Sequence, residues 1–331
     1  MPHMKVLLYL LPTLLLIGCS KSSNSTKTEQ SKHLQKAEFS ADSAYQYIAD
    51  QVALGSRTIG SEAHKQCVAY LSEQLERFGA EVELQEGEMK DYVGNKVSIV
   101  NIIGSYNKSA KERILLAAHY DSRPWADHDP DKSKWQTPIL GANDGASGVG
   151  VLLEIARQLK REKSGKGIDI VFFDAEDMGA PEFYKGSTIE DDWCLGSQLW
   201  AKKCKENNQN SQYCYGIVLD MVGAGDAVFP QEYFSTRYAS EYVRQLWQVA
   251  AQSGYGRYFS QEVSFPITDD HYYVNTIVQI PCVDIIHYVN SNEYGKSGFS
   301  HTWHTMADNL SAIDKATLDA VGTTVLTFVQ Q

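Results

Sequence analysis

The chain has 331 residues, a formal net charge of −11 and an isoelectric point near 5.3, and 43% of its residues are hydrophobic. That apolar content fills one large core or two modest ones. No basic stripe offsets the acidic balance, which argues against a nucleic-acid partner.

The opening "MPHMKVLLYLLPTLLLIGCS" carries an apolar stretch from Val6 to Ile17, followed by Gly18 and Cys19. The run falls short of the about 20 residues a bilayer-spanning helix needs and has the proportions of a signal-peptide core. "LIGC" at 16–19 resembles the lipobox of bacterial lipoproteins. The resemblance implies acylation of Cys19, which then becomes the mature N-terminus. An ordinary secretory signal with a chance cysteine is the plainer alternative. The polar "SKSSNSTKTEQSKH" that follows has the composition of a flexible tether. The expected organisation is a lipoprotein signal peptide over 1–19, a tether over 20–36 and one catalytic α/β domain over 37–331. The expected location is outside the cytoplasm, anchored to a membrane on the periplasmic or outer-membrane side. Beyond Cys19, the cysteines are Cys67, Cys194, Cys204, Cys214 and Cys282, an odd number that leaves at least one thiol free or paired between chains. Cys204 and Cys214 bracket a polar loop, and a bridge or two free thiols fit equally.

In chain order, the pattern predicts a helix over 43–54 and a strand over "VSIVNIIG" (97–104), then a strand over "RILLAAHYDS" (113–122). A helix over "ASGVGVLLEIARQLKRE" (146–162), a strand over "GIDIVFFDAED" (167–177) and a helix over 196–206 follow. After these come a strand over "YGIVLDMVG" (215–223), a helix over 235–254, a strand over "QIPCVDIIHY" (279–288) and a closing helix over 312–331. Several of the strands are apolar almost throughout, as expected of central strands covered on both faces. The alternation predicts a three-layer α/β sandwich, with a mostly parallel twisted sheet between helices. No internal repeat or Pro/Gly linker divides the chain after residue 40.

Ligands gather outside the carboxyl ends of such strands, so the polar residues that close each apolar run belong together. These are His119 and Asp121 in "HYDS", Asp144 in "GANDGASG", Glu176 and Asp177 in "FFDAED", and Asp220 in "LDMVG". His301 and His304 in "SHTWHTMADN" precede the last helix. Imidazole and carboxylate without thiolate are donors that zinc accepts. The His119-x-Asp121 spacing suits a carboxylate that fixes an imidazole tautomer. Consecutive acids leave a strand end in different directions, so one of Glu176 and Asp177 can ligate while the other handles protons.

The motifs "HYDS", "GANDGASGVGVLLEIAR", "FFDAEDMG", "LDMVG", "DDH" and "WHTMADN" occur in order, and the chain from about residue 50 resembles the co-catalytic zinc aminopeptidase superfamily. One branch of that superfamily is not peptidase: the animal-type glutaminyl cyclases, or glutaminyl-peptide cyclotransferases, which bind one zinc and convert N-terminal glutamine to pyroglutamate. The two-metal positions His119, Asp144, Asp177, Asp220 and His304 are all filled, so the ligand set fits both branches. The flanking residues resemble the cyclase: Asp269 in "TDDH", Trp303 in "WHTMADN", and a long insertion between the acidic pair and "GSQ". Two departures are Asp177, where animal cyclases carry Glu, and Thr268, which matches no pocket residue.

The resemblance implies a zinc held by Asp144, Asp177 and His304, with Glu176 as proton shuttle. Asp220 and Asp269 would form a hydrogen-bonded acidic pair, and Trp303 would line the glutamine pocket. His119, with Asp121 behind it, would stand near the site without ligating, or hold a second metal. One zinc per chain is expected of a cyclase and two of an aminopeptidase, the alternative activity. Partners implied are peptides or exported proteins with N-terminal glutamine. Elsewhere, Trp125 and Trp135 are read as rim or loop packing, His128 and Asp129 as a solvated loop, and His287 as a structural, hydrogen-bonded residue.

Overall fold

The computed structural model describes residues 36–160, 165–290 and 298–331; the expected signal peptide, Cys19 and the tether up to residue 35 lie outside them. Strands β1 (Glu81–Lys90), β2 (Lys96–Tyr106), β3 (Arg113–His119), β4 (Gly167–Phe173), β5 (Tyr213–Asp220) and β8 (Cys282–Ile286) form one sheet in the order β1-β2-β4-β3-β5-β8. The four from β4 to β8 run parallel, and β2 joins β4 antiparallel. Every residue of β3, β4 and β8 is buried, which is what their near-continuous apolar runs dictate.

Side chains alternate across the sheet with the period of two that a strand imposes. Ile114, Leu116 and Ala118 enter one core, together with Ile217, Leu219, Val283 and Ile285. Helices α1 (Ala41–Ala53), α2 (Glu62–Arg77), α3 (Ala146–Leu159), α6 (Ser240–Gln252) and α8 (Lys315–Val329) cover that face. Leu115, Ala117, Val171, Phe173 and Val218 enter the other core, under α4 (Leu195–Glu206) and the turn Val274–Val278 that follows α7 (Asp270–Tyr273). These are the three layers the alternation predicts. α3 lies against β5 without a gap: a Cβ on Gly148 would stand 2.2 Å from the Leu219 carbonyl oxygen.

Several elements depart from the sequence reading. β1 pairs with β2 over ten residues although "EVELQEGEMK" is largely charged, because it is an edge strand with one face to solvent. α2 went unpredicted, yet Ser61 caps His64 N–H and Cys67, Leu71 and Leu75 recur at spacing four into the core. The single helix expected over 235–254 is two, α5 (Tyr233–Tyr238) and α6, broken at Ala239 (φ −135°). The Glu232 carboxylate caps α5 at Ser235 N–H and also takes His271, which fixes where α5 begins. β6 (Phe229–Gln231) and β7 (Phe259–Val263) form a small second sheet too short to register as a pattern. The described cysteines are all free thiols, Cys204 and Cys214 included.

The parallel register has one consequence for chemistry. His119 at the end of β3, the turn after β4 and Asp220 at the end of β5 all emerge at the same edge of the sheet.

Candidate active site

At that edge Ala175 and Met221, the residues that turn the chain out of β4 and β5, adopt left-handed backbone (φ 55° and 49°), and so does His304 (φ 54°). Each costs about 1 kcal/mol for a residue with a Cβ, and each re-aims the acid or imidazole next to or at the bend. After Ala175 the chain presents Glu176 and Asp177, whose N–H groups both donate to the Asp121 carboxylate, at 3.1 and 3.2 Å. Asp121 also faces His119 Nδ1 at 3.4 Å. The third acid of the cluster, Asp174, is structural: it accepts from Val100 N–H at 2.8 Å and pairs with His64 at 2.9 Å.

Asp144 sits in the loop before α3, where Gly145 (φ +97°) leaves no room for a side chain, since a Cβ there would lie 2.5 Å from the Asp121 carbonyl oxygen. The N–H groups of Asn143 and Asp144 donate to Asp308 at 2.7 and 3.0 Å. Burial pushes the Asp308 carboxyl up to about 7, with those two N–H groups opposing the shift. Fully buried Arg57 ties the same loop to β3, donating to the carbonyls of Tyr120, Leu140 and Gly141.

His304 Nε2 lies 3.1 Å from Asp177 Oδ1 and 3.6 Å from Asp144 Oδ2. One donor atom from each of Asp144, Asp177 and His304 falls within 4.8 Å of the others, and all three side chains are buried. Asp144 Oδ2 and Asp177 Oδ2 have no hydrogen-bond partner despite burial, a state that costs several kcal/mol unless something cationic satisfies it. Burial, then the charge on Asp177, holds the Asp144 carboxyl well above its ordinary range. Burial and then Arg123 hold the His304 imidazole well below its own, and the neutral ring is the ligating form. The donor set is the nitrogen and oxygen set zinc takes, so these residues fit a zinc ion. Asp144 also reaches a second group: His119 Nε2 stands 3.1 Å from Asp144 Oδ1 and 3.2 Å from Asp220 Oδ1.

Asp144, Asp177, Asp220 and His304 line a pocket of about 500 Å³. Glu176 is on its floor, its Oε1 accepting from the Cys194 thiol at 3.1 Å. Burial first, then the Asp177 charge, raises the Glu176 carboxyl well above the usual range. Asp269 lines the same pocket, and burial followed by the Asp220 charge pushes it up to about 6. Asp220 and Asp269 are therefore neighbours, but not the hydrogen-bonded pair expected from the sequence. Asp220 takes His119, and Asp269 Oδ1 takes the N–H of Asp270. Among the walls are Trp303, Trp193 and Phe299. Two indoles stack with His304, at centroid distances of 3.8 Å for Trp303 and 6.1 Å for Trp193.

The loop "RPWADHDP" corrects one expectation. His128 is half-buried, packs on Trp303 at 4.2 Å and donates its N–H to the His304 carbonyl, while Asp129 accepts from Met306 N–H at 3.0 Å. Both brace the His304 loop. Trp125 and Trp135 pack on Phe183 of the insertion, and exposed His301 faces Asp226 at 3.8 Å. Sequence reasoning passed over Arg123, Asp127, Trp193, Cys194 and Asp308. Only the i,i+4 spacing of Arg123 and Asp127 offered a signal.

The family model for peptidase family M28 matches residues 101–329. The chain belongs to peptidase family M28. Among solved members of this architecture, the glutaminyl cyclase of Bacteroides thetaiotaomicron bound to N-acetylhistamine is 45% identical, with a TM-score of 0.85 over 90% of this chain and 99% of that one. A Zn-dependent exopeptidase from Parabacteroides distasonis is 49% identical, also at 0.85, over 90% of this chain and all of that one. The glutaminyl-peptide cyclotransferase of Boiga dendrophila is 27% identical over 69% of this chain and 64% of its own. The chain thus spans less than two thirds of the length of that curated relative. Zinc dependence is a property of the M28 architecture, and the donor set at Asp144, Asp177 and His304 agrees with it.

Proposed function

We propose that this chain is a zinc-dependent glutaminyl-peptide cyclotransferase, closing the N-terminal glutamine of peptides or exported proteins to pyroglutamate with release of ammonia. The observation that carries the reading is the near full-length likeness to a solved glutaminyl cyclase, with every group the reaction needs in one pocket. Asp144, Asp177 and His304 would hold one zinc per chain. Bound there, zinc supplies a Lewis acid for the γ-carbonyl of the glutamine.

The remaining work falls to the chain's own side chains. The pocket holds the glutamine so that its α-amine faces its own γ-carbon, a proximity gain within one molecule. A bond forms between that nitrogen and carbon, the γ-C–N bond breaks, and ammonia leaves. Glu176 takes the proton from the amine and returns it to the departing nitrogen. The Cys194 thiol donates to Glu176 Oε1 and steadies the carboxyl in the pocket. Asp269 and Asp220 hold the amide nitrogen, and Trp303 and Trp193 wall off bulk water. His119 faces Asp121 through Nδ1 and Asp144 and Asp220 through Nε2; with one zinc held by Asp144, Asp177 and His304, its role in this reading is positioning.

The reading includes an anchored, exported protein, supported by the apolar run ending at Cys19. Acyl label incorporated by the full chain and lost in Cys19→Ala would test the anchor. The activity is tested by incubating the zinc-loaded chain with a glutamine-initiated peptide. Ammonia and a peptide lighter by one ammonia are expected. A dizinc aminopeptidase is the second reading, favoured by the His119, Asp144 and Asp220 group, and it would release free glutamine instead.

A further inference from the structure

Arg123 is fully buried and sits at the crossing of two chain segments that contribute metal-binding residues. Its Nε and Nη2 donate to the two oxygens of Asp127 at 2.7 and 2.6 Å, a bidentate fork. Its Nη1 donates to the Asp177 carbonyl at 3.0 Å and to Gly179 at 3.3 Å, so it holds the backbone of one ligand. The guanidinium lies 4.7 Å from the Trp193 ring that flanks His304. Asp127 in turn places Oδ1 at 3.6 Å from His304 Nδ1, the ring nitrogen that faces away from Asp144 and Asp177; this is just beyond a hydrogen bond, and Nδ1 is buried with no hydrogen-bond partner. Its Oδ2 accepts from Glu182 N–H at 3.0 Å, which fixes the carboxylate plane. Residues 123, 127, 177 and 304 are each 1% exposed, so none of these contacts is loosened by solvent.

We infer that Arg123 and Asp127 act as one positioning unit for the metal, fixing the tautomer and ring plane of His304 through Asp127 and the backbone of Asp177 through Arg123. A ligating imidazole that binds through Nε2 carries its proton on Nδ1 and needs an acceptor there; Asp127 is the carboxylate facing that nitrogen, a few tenths of an ångström short of the bond it would make to the metal-bound ring. Without Arg123, Asp127 would be a buried charge without its cation, held by the Glu182 N–H alone. The unit rests on the ligand set Asp144, Asp177 and His304 and is independent of the substrate.

The test is zinc affinity, by chelator competition, and the visible spectrum of the cobalt-substituted chain. Asp127→Asn and Arg123→Lys are each expected to weaken zinc binding about 10- to 100-fold and to shift the cobalt bands. The two losses should combine less than multiplicatively, because the residues act together. Asp127→Glu should recover part of the loss, as a packing role would not. The control is a second buried pair at the far end of β3, Arg113 and Asp169: Asp169→Asn should lower the melting temperature and leave zinc affinity unchanged. If both site variants fold but keep the parental affinity and cobalt spectrum while His304→Ala loses zinc, the positioning role is wrong and the ligand set stands. If His304→Ala also keeps parental affinity, both fall. Should neither variant fold, the zinc-loaded parent still decides: the Nδ1–H of His304 is expected as a slowly exchanging imidazole proton, and a freely exchanging one would overturn the role.

Discussion

Glu176 and Asp177 are neighbours in sequence but face different tasks. The left-handed turn at Ala175 and the grip of Asp121 on both N–H groups send one carboxylate to the pocket floor and the other to His304. Glu176→Gln keeps the shape of the side chain and removes its capacity to carry a proton. Turnover is expected to fall by about 10²- to 10⁴-fold, the span of a general acid–base, with zinc content unchanged; equal activity in this variant would reassign the pair. Asp144, Asp177 and Glu176 were legible because each closes an apolar run or follows one closely, and His304 because its motif precedes the last helix. Asp308, Arg123 and Asp127 were not. Asp308 acts on N–H groups 165 and 164 positions earlier in the chain, and no local pattern encodes such a partner.

At the scale of elements, the site exists because β3, β4 and β5 run parallel and end together. Their apolar runs announced the strands, while the edge strand β1 stayed hidden because one of its faces needs no apolar side chains. The expected helix over 235–254 is divided at Ala239 (φ −135°), where the chain leaves helical geometry between α5 and α6. Contact between α3 and β5 depends on Gly148, where a Cβ would meet a backbone oxygen at 2.2 Å and Ala118 Cβ at 2.9 Å. Gly148→Val should therefore destabilise by about 3 kcal/mol, in the upper range for overpacking. Urea unfolding of the metal-free chain reads that loss directly, and a stability equal to the parent's would mean the helix stands off the sheet.

For the whole molecule, stability is coupled to metal and to protons. The ligand trio gathers two carboxylates that each bury one oxygen without a hydrogen-bond partner, so chelation should lower the melting temperature. A thousandfold excess of zinc over its Kd contributes about 4 kcal/mol. Calorimetry with and without chelator measures it, and identical melting curves would contradict a bound ion. His287 acts at the acid end. Burial, with His301 adding and Asp226 opposing, pushes its imidazole from an ordinary 6.5 down to about 4. The unfolded chain therefore binds a proton on this residue that the folded chain refuses. Its contribution falls as pH drops from 6.5 toward 4, by on the order of 3 kcal/mol. His287→Gln should flatten that limb of the stability profile; a limb of unchanged slope would place the acid sensitivity elsewhere.

All of this turns on where the ion sits. Anomalous diffraction at the zinc edge from crystals of the zinc-loaded chain locates it directly. One strong peak is expected within bonding distance of Asp144, Asp177 and His304. A peak held by other side chains, or no peak in zinc-saturated crystals, would contradict the account.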